Sequence, residues 1–317
     1  MARVGRQLSE TPLGLLARRR LRSQLEVRAL DVELSRVTTG TELPRIAFLT
    51  DLHAGFFNTL SDLERLARKT AELEPDIVLL GGDLIDSHSD EIWLLGPALR
   101  RLDPPLGVYA VPGNHEYFHL EEFDDWTTFL EDNGVSVLIN RGVRVTHAGT
   151  TLWIAGIDDW LEGRPNIYAA LEGRRLDEPV VLLSHHPDAF VHAARADVDL
   201  QLSGHTHGGQ VRFFGHAPMR HTSFGFLDGL YQQDRSQLYV SRGGGVTLLP
   251  IRFGAPPEIG LLRLVGIAPS SSVTPGMNPE STPVHLETTA SLARAPSAKA
   301  VDAGARDRRP TGRSRRS

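Results

Sequence analysis

None of the 317 residues is cysteine, which excludes disulfides and thiolate metal sites and leaves His, Asp, Asn and Glu to hold any metal. Ligands of that kind suit Mn, Fe, Zn, Ni or Mg. Long apolar runs are also missing. The longest are strand-sized, as at 77–80 and 180–183, against the roughly 18 consecutive residues a spanning helix needs, so the chain is not expected to be integral to a membrane. Arg3, Arg6, Arg18, Arg19, Arg20 and Arg22 lead the chain without an apolar segment behind them. A secretory or twin-arginine signal requires that segment, and the expected location is therefore cytoplasmic.

What is present divides into a body and two ends. The net charge of −5 is uneven: residues 267–317 hold eight Lys or Arg against four Asp or Glu, so the rest of the chain carries −5 − 4 = −9. An acidic body lacks the basic face that displaces counterions from nucleic acid, and no nucleic-acid partner is expected. Residues 267–317 are rich in Pro, Ser, Thr and Ala, end in Arg313, Arg315 and Arg316, and read as a disordered tail. Residues 1–41 read as an N-terminal basic segment, and the basic stretch 18–28 is a candidate for peripheral contact with an anionic membrane. Residues 42–266 read as the folded domain; 40% hydrophobic content over the 317-residue chain is ample for a buried core.

Within the domain, short apolar runs at 45–50, 76–80, 107–111, 135–139, 143–155, 180–184, 200–203 and 238–241 predict strands. Ser61 with Glu64 predicts a capping box ahead of Leu63, Leu66, Ala67, Thr70 and Leu73 at helical spacing, and Pro75 stops that helix. Residues 45–83 are thus strand, helix, strand, the unit that builds parallel sheet. The closer spacing of later runs predicts hairpins, so the fold class is α/β with two packed mixed sheets and flanking helices.

Polar clusters follow the apolar runs. They are Asp51-Leu52-His53, Gly82-Asp83-Leu84-Ile85-Asp86, Gly113-Asn114-His115-Glu116, Ser184-His185-His186 and Gly204-His205-Thr206-His207. Sites in open α/β sheets lie beyond the carboxyl ends of strands, so these clusters are expected to converge on one crevice. In Asp-x-His and His-x-His the one-residue spacing projects two side chains the same way from extended backbone. Their glycines permit sharp turns and keep the crevice open.

These blocks, in this order, resemble the calcineurin-like metallophosphoesterase superfamily, whose pattern is D-x-H, G-D-x-x-D, G-N-H-[DE], H, then G-H-x-H. The resemblance implies a four-layer α/β/β/α sandwich. It implies two divalent metal ions (Mn, Fe, Zn or similar), one held by Asp51, His53, Asp83 and His207, the other by Asp83, Asn114, His185 and His205, with Asp83 as the bridge. It also implies hydrolysis of a phosphate ester by a metal-bridging hydroxide, with His115 as general acid and Asp86 orienting its ring. His186 adjoins His185, and the family pattern selects His185. His88, His119, His147, His192, His216, His221 and His285 match no block and read as structural or surface histidines, and Asp158-Asp159 as an acidic turn. Tyr117, Phe118, Trp160, Phe213 and Phe214 flank the clusters as pocket lining or as core.

Gly208-Gly209-Gln210 and the region from Ser241-Arg242-Gly243 to Pro257-Glu258-Ile259 resemble bacterial membrane-associated phosphohydrolases of the UDP-2,3-diacylglucosamine hydrolase type. That resemblance implies a phosphodiester or pyrophosphate substrate with a lipid or nucleotide head. The alternatives are a phosphomonoesterase acting on small cytoplasmic substrates and a metal-free, non-catalytic scaffold.

Overall fold

Strands that are apolar at every position need cover on both faces, and the runs at 46–49, 77–80 and 180–183 have it. A computed structural model describes residues 24–86, 88–119, 123–214, 216–218 and 221–267. The first sheet has six strands in the order β1 (Glu26–Thr38), β12 (Glu258–Ile267), β2 (Arg45–Leu49), β3 (Ile77–Leu80), β4 (Val108–Ala110) and β5 (Val135–Val137). The second, also six-stranded, runs β10 (Gly229–Gln233), β11 (Ser236–Val240), β9 (Leu200–Ser203), β8 (Val180–Leu183), β7 (Thr150–Gly156) and β6 (Arg141–His147). Both are mixed: β12 is antiparallel to β2, whereas β2, β3, β4 and β5 are parallel. In the second sheet β7, β8, β9 and β11 are parallel, with antiparallel β6 and β10 at the edges.

The period-2 alternation of strand side chains assembles the layers. Ile46, Phe48, Ile77 and Leu79 point into the seam between the sheets, where they meet Ile154, Val181, Leu183, Leu202 and Tyr239. Their neighbours Ala47, Leu49, Val78 and Leu80 point outward, under Leu63 and Leu66 of α1 (Leu60–Ala71). The short α2 (Gly96–Leu99), α3 (Asn114–His119) and α4 (Phe123–Asp132) follow β3 and β4; Leu99 and Trp126 join that outer core. On the far side, α5 (Ile167–Ala170) and α6 (Phe190–Arg195) cover Trp153, Ala155, Val180 and Leu182. The result is the expected α/β/β/α sandwich. Among the described residues no helix is long and apolar enough to cross a membrane.

Three local expectations are corrected. The cap of α1 is Thr59 with Asp62, two residues earlier than the predicted Ser61 with Glu64: the Asp62 carboxylate accepts from the Thr59 N–H at 3.1 Å and its hydroxyl at 2.6 Å. The run at 143–155 is two strands, because Ala148 and Gly149 both take positive φ and turn β6 back into β7. Strand β1 begins at Glu26, ahead of residue 42, pairing in parallel with β12. Residues 1–23 and 268–317, with His285, lie outside the described residues.

Candidate metal centre

Because β2, β3 and β4 are parallel in one sheet and β8 and β9 in the other, their carboxyl ends open on one edge of the sandwich. Asp51 follows β2, Asp83 follows β3, Asn114 follows β4, His185 follows β8, and His205 and His207 follow β9. Asp51, His53, Asp83, His205 and His207 all have positive φ, which non-glycine residues adopt at a cost of about 1–3 kcal/mol and which clusters at functional sites.

The structure brings the predicted residues into two groups sharing one wall. In the first, His53 Nε2 lies 3.1 Å from His207 Nε2, and His207 Nε2 lies 3.3 Å from Asp51 Oδ1. In the second, His185 Nε2 is 3.1 Å from Asp83 Oδ2 and 3.3 Å from His205 Nδ1, which is 2.9 Å from Asn114 Oδ1. Asp83 Oδ2 also lies 3.8 Å from His53 Nε2, so its carboxylate stands between the groups. Asp51, His53, Asp83, His185 and His207 are buried.

Bonds behind these side chains fix how they face. His185 Nδ1 donates to the Gly81 carbonyl at 2.8 Å, which turns its Nε2 lone pair toward Asp83. Thr50 and the His205 backbone N–H donate to the Asp51 carboxylate. Lone-pair-bearing nitrogens and oxygens this close repel unless a proton or cation sits among them. Burial opposes ionisation of Asp83, but His185, His115 and His53 outweigh it and hold the carboxyl well below the usual range. Burial likewise opposes protonation of His185, yet Asp83 and Asp51 prevail and raise it well above the usual value. The 3.1 Å contact between the His185 imidazole and the Asp83 carboxylate thus favours positive charge between them, and the donor set of imidazoles, carboxylates and an amide suits a divalent cation.

The glycines of the blocks are sterically required. A Cβ on Gly204 would sit 2.1 Å from Asp51 Oδ2, and one on Gly113 would sit 2.3 Å from Asp83 Oδ1.

His115 lies at the rim, its ring 4.5 Å from that of His53, with Nδ1 donating to the Asp86 backbone carbonyl at 2.7 Å. Asp86 thus contacts His115 through its main chain, while its carboxylate faces His53 Nδ1 at 3.4 Å. His186 packs its ring 4.4 Å from that of His205, but its Nδ1 accepts from the Asp188 N–H, and burial lowers its pKa to about 4. Asp158-Asp159 is a turn, with Asp158 accepting from the Arg164 N–H and Asp159 from the Leu161 and Glu162 N–H groups. Phe118, Phe213 and Phe214 are exposed and do not belong to the core.

Two residues without an assigned role support the site. Glu116, fully buried, accepts from the N–H groups of Gly113, Asp83, Leu84 and Ile85 at 2.7 to 3.3 Å and clamps the loops after β3 and β4 together. Burial, with the Asp83 charge, pushes its carboxyl up to about 7. Its place in the Gly113–Glu116 block was the available signal. Arg252, 3% exposed, donates to the carbonyls of Arg242, Gly245, Ala255 and His207. No sequence pattern marks it. Glu258 binds Arg242 and Tyr239, closing the loop that packs Gly243 beneath Asp51.

Comparison with known proteins identifies the family. Residues 44–209 match the family model described as calcineurin-like phosphoesterase. A Bacillus subtilis (strain 168) protein named uncharacterized metallophosphoesterase YkuE is 32% identical over 74% of this chain and 83% of its own. A Bos taurus protein named transmembrane protein with metallophosphoesterase domain is 33% identical over 75% of this chain, which spans only 56% of that relative. A phosphopantetheinyl hydrolase from Mycobacterium tuberculosis superposes with a TM-score of 0.42 and 17% identity, covering 65% of this chain and 89% of its own. With the match spanning all five polar blocks, the chain belongs to the calcineurin-like phosphoesterase family and is a phosphoester hydrolase.

Proposed function

We propose that two divalent ions sit in the two side-chain groups and that the enzyme cleaves a phosphodiester or pyrophosphate bearing a lipid or nucleotide head. The observation carrying this reading is the position of Asp83, whose one carboxylate faces His185 from one group and His53 from the other. Asp51, His53, Asp83 and His207 would hold one ion, and Asp83, Asn114, His185 and His205 the other. When bound, such a pair supplies Lewis-acid charge for a phosphate and lowers the pKa of water.

The chain's own residues set the rest. Asp83 offers a shared anion between two cationic places. His115, with Nδ1–H committed to the Asp86 carbonyl, presents Nε2 to the crevice as the position from which a proton reaches the leaving oxygen. Phe118, 56% exposed with its ring 6.3 Å from that of His115, offers an apolar surface beside that oxygen and favours an ester with an apolar or aromatic head. A cytoplasmic enzyme in peripheral contact with membranes belongs to the same proposal.

The test follows metal content and turnover together, using bis(p-nitrophenyl) phosphate and an alkyl phosphodiester. Chelation is expected to abolish turnover and Mn²⁺ to restore it. Asp83→Ala should lose both metal and activity, whereas His115→Ala should keep its metal and slow mainly on the alkyl ester, by about 10²- to 10⁴-fold. Full turnover after exhaustive chelation would overturn the two-ion reading. Loss of metal from His115→Ala would overturn the general-acid assignment.

A further inference from the structure

The turn carrying His205 and His207 runs directly into the segment 211–214, and a second loop at 246–254 lies against it. They are joined by main-chain bonds: the Arg212 N–H donates to the Phe253 carbonyl at 2.8 Å, and the Phe253 N–H to the Gln210 carbonyl at 3.0 Å. The Gln210 side chain donates to the Thr247 carbonyl at 2.9 Å, and the Phe213 and Phe253 rings stand 5.6 Å apart. This joined surface presents Phe213, Phe214, Leu248, Leu249, Ile251 and Phe253 to solvent, each between 49% and 102% exposed.

Six large apolar side chains on two touching loops form a continuous patch, in contrast to the scattered exposed leucines of ordinary surfaces. Two are held at a cost. Phe214 and Leu248 sit in the left-handed region at φ 50° and 61°, where bulky residues are outliers, so the outward pose is one the local backbone resists.

The segments that carry the patch hold no acid of their own. Neither 208–227 nor 243–257 contains an Asp or Glu, in a chain with 39 of them, whereas Arg212, His216, Arg220 and His221 fall in the first segment. Arg212 is paired with Asp228, just beyond it. A second copy docked on this face by two-fold symmetry would bring no carboxylate from either segment to Arg212 and His216, and Asp228 is already taken up by Arg212. An anionic bilayer supplies the missing charge and accepts the apolar tips at headgroup depth.

We infer that the segments 211–214 and 246–254 form a docking surface for the headgroup layer of an anionic lipid bilayer, placing the crevice of His205 and His207 at the membrane surface. Docking itself does not depend on the phosphoesterase mechanism. Its use, bringing a phosphoester to the crevice from within the lipid, rests on the proposed function. This surface is separate from the basic stretch 18–28 expected from sequence.

The test is flotation of the full chain with vesicles of phosphatidylcholine containing about 30% phosphatidylglycerol, and with phosphatidylcholine alone. The probe variant is Phe214→Asn with Leu248→Asn. Asparagine tolerates positive φ, so the melting temperature should hold or rise, and neither residue touches the metal centre. Wild type is expected to float with the anionic vesicles. The double variant should bind at least about tenfold more weakly, with unchanged turnover of soluble bis(p-nitrophenyl) phosphate. Equal binding by both proteins, or none by wild type, would overturn the inference. So would a wild-type dimer in light scattering that the variant abolishes and vesicles do not compete for, because the face would then belong to a second copy. Vesicle binding that the variant loses, in a protein without turnover, would sustain the docking surface while removing the proposed function.

Discussion

Arg252 Nη2 lies 3.1 Å from His207 Nδ1, so a buried guanidinium, rather than the more usual carboxylate or carbonyl, stands behind this imidazole. Burial, together with the charges of His53 and Arg252, lowers the His207 pKa well below its usual value and favours the neutral ring; because the guanidinium only donates, Nδ1 accepts and the ring's proton lies on Nε2, toward Asp51. The same guanidinium gathers the carbonyls of 242–255, tying the loop under Asp51 to the turn carrying His207.

Arg252→Met should therefore weaken metal retention and lower activity by about 10- to 100-fold, with partial recovery at high Mn²⁺. Arg252→Lys should fall between, since one ammonium cannot reach the same spread of carbonyls. Metal content after dialysis and turnover against Mn²⁺ concentration are the measurements. A variant with wild-type metal content would show that His207 is positioned without it.

Glu116 serves four N–H donors from two loops, and its loss should register as stability before chemistry. Glu116→Ala strands four buried donors, each costing about 1–3 kcal/mol, and a total loss of at least about 4 kcal/mol is expected in urea unfolding. Glu116→Gln retains only one acceptor oxygen and should lie between. Unchanged unfolding midpoints would mean that the loops after β3 and β4 are held by other bonds.

Away from the crevice, Glu178 joins β6 to the preceding turn by accepting from Arg144 Nε at 2.6 Å, Arg144 Nη2 at 3.0 Å and the Arg175 N–H at 3.1 Å. Burial opposes its ionisation, but these donors outweigh it and hold the carboxyl below its ordinary 4.5. A carboxyl whose folded pKa is lowered contributes stability above the unfolded value and loses it as pH falls through the folded one. Glu178→Gln should cost about 1–2 kcal/mol at neutral pH. The gap to wild type should close as pH is lowered from about 5 to about 3. Melting temperatures across that range check it; a gap independent of pH would assign the loss to packing.

The legible parts of this molecule were those where one local pattern decides the outcome. Apolar runs covered on both faces marked β2, β3, β8 and β9, and the polar residues just beyond them were the ones the fold collected. Strand β1 was missed because its alternation is short: Val32 and Leu34 are buried between exposed Asp31, Glu33 and Ser35, and the pattern breaks at Arg36, where the register with β12 shifts between Leu34 and Thr38. Strand β12 shows a similar break at Arg263, whose guanidinium is taken up by Asp31 of the neighbouring strand. Arg252 is illegible for a different reason. An arginine is normally exposed, and its burial depends on carbonyls delivered by the tertiary fold. The cap of α1 shifted from Ser61 to Thr59 because both offer a hydroxyl with an acid three residues on, and spacing alone does not choose between them.

The placement of β12 between β1 and β2 bears on how the chain is made. A ribosome delivers β1 and β2 early, yet their hydrogen-bonding edges meet only through a strand that ends at Ile267. Until that strand emerges, β2 has an unpaired edge, a template for pairing with another chain. Arg252 and Glu258, which secure the loop under Asp51, also arrive last. Nascent chains stalled before the final strand should thus be prone to association, and the crevice becomes complete only when synthesis of the domain is nearly finished.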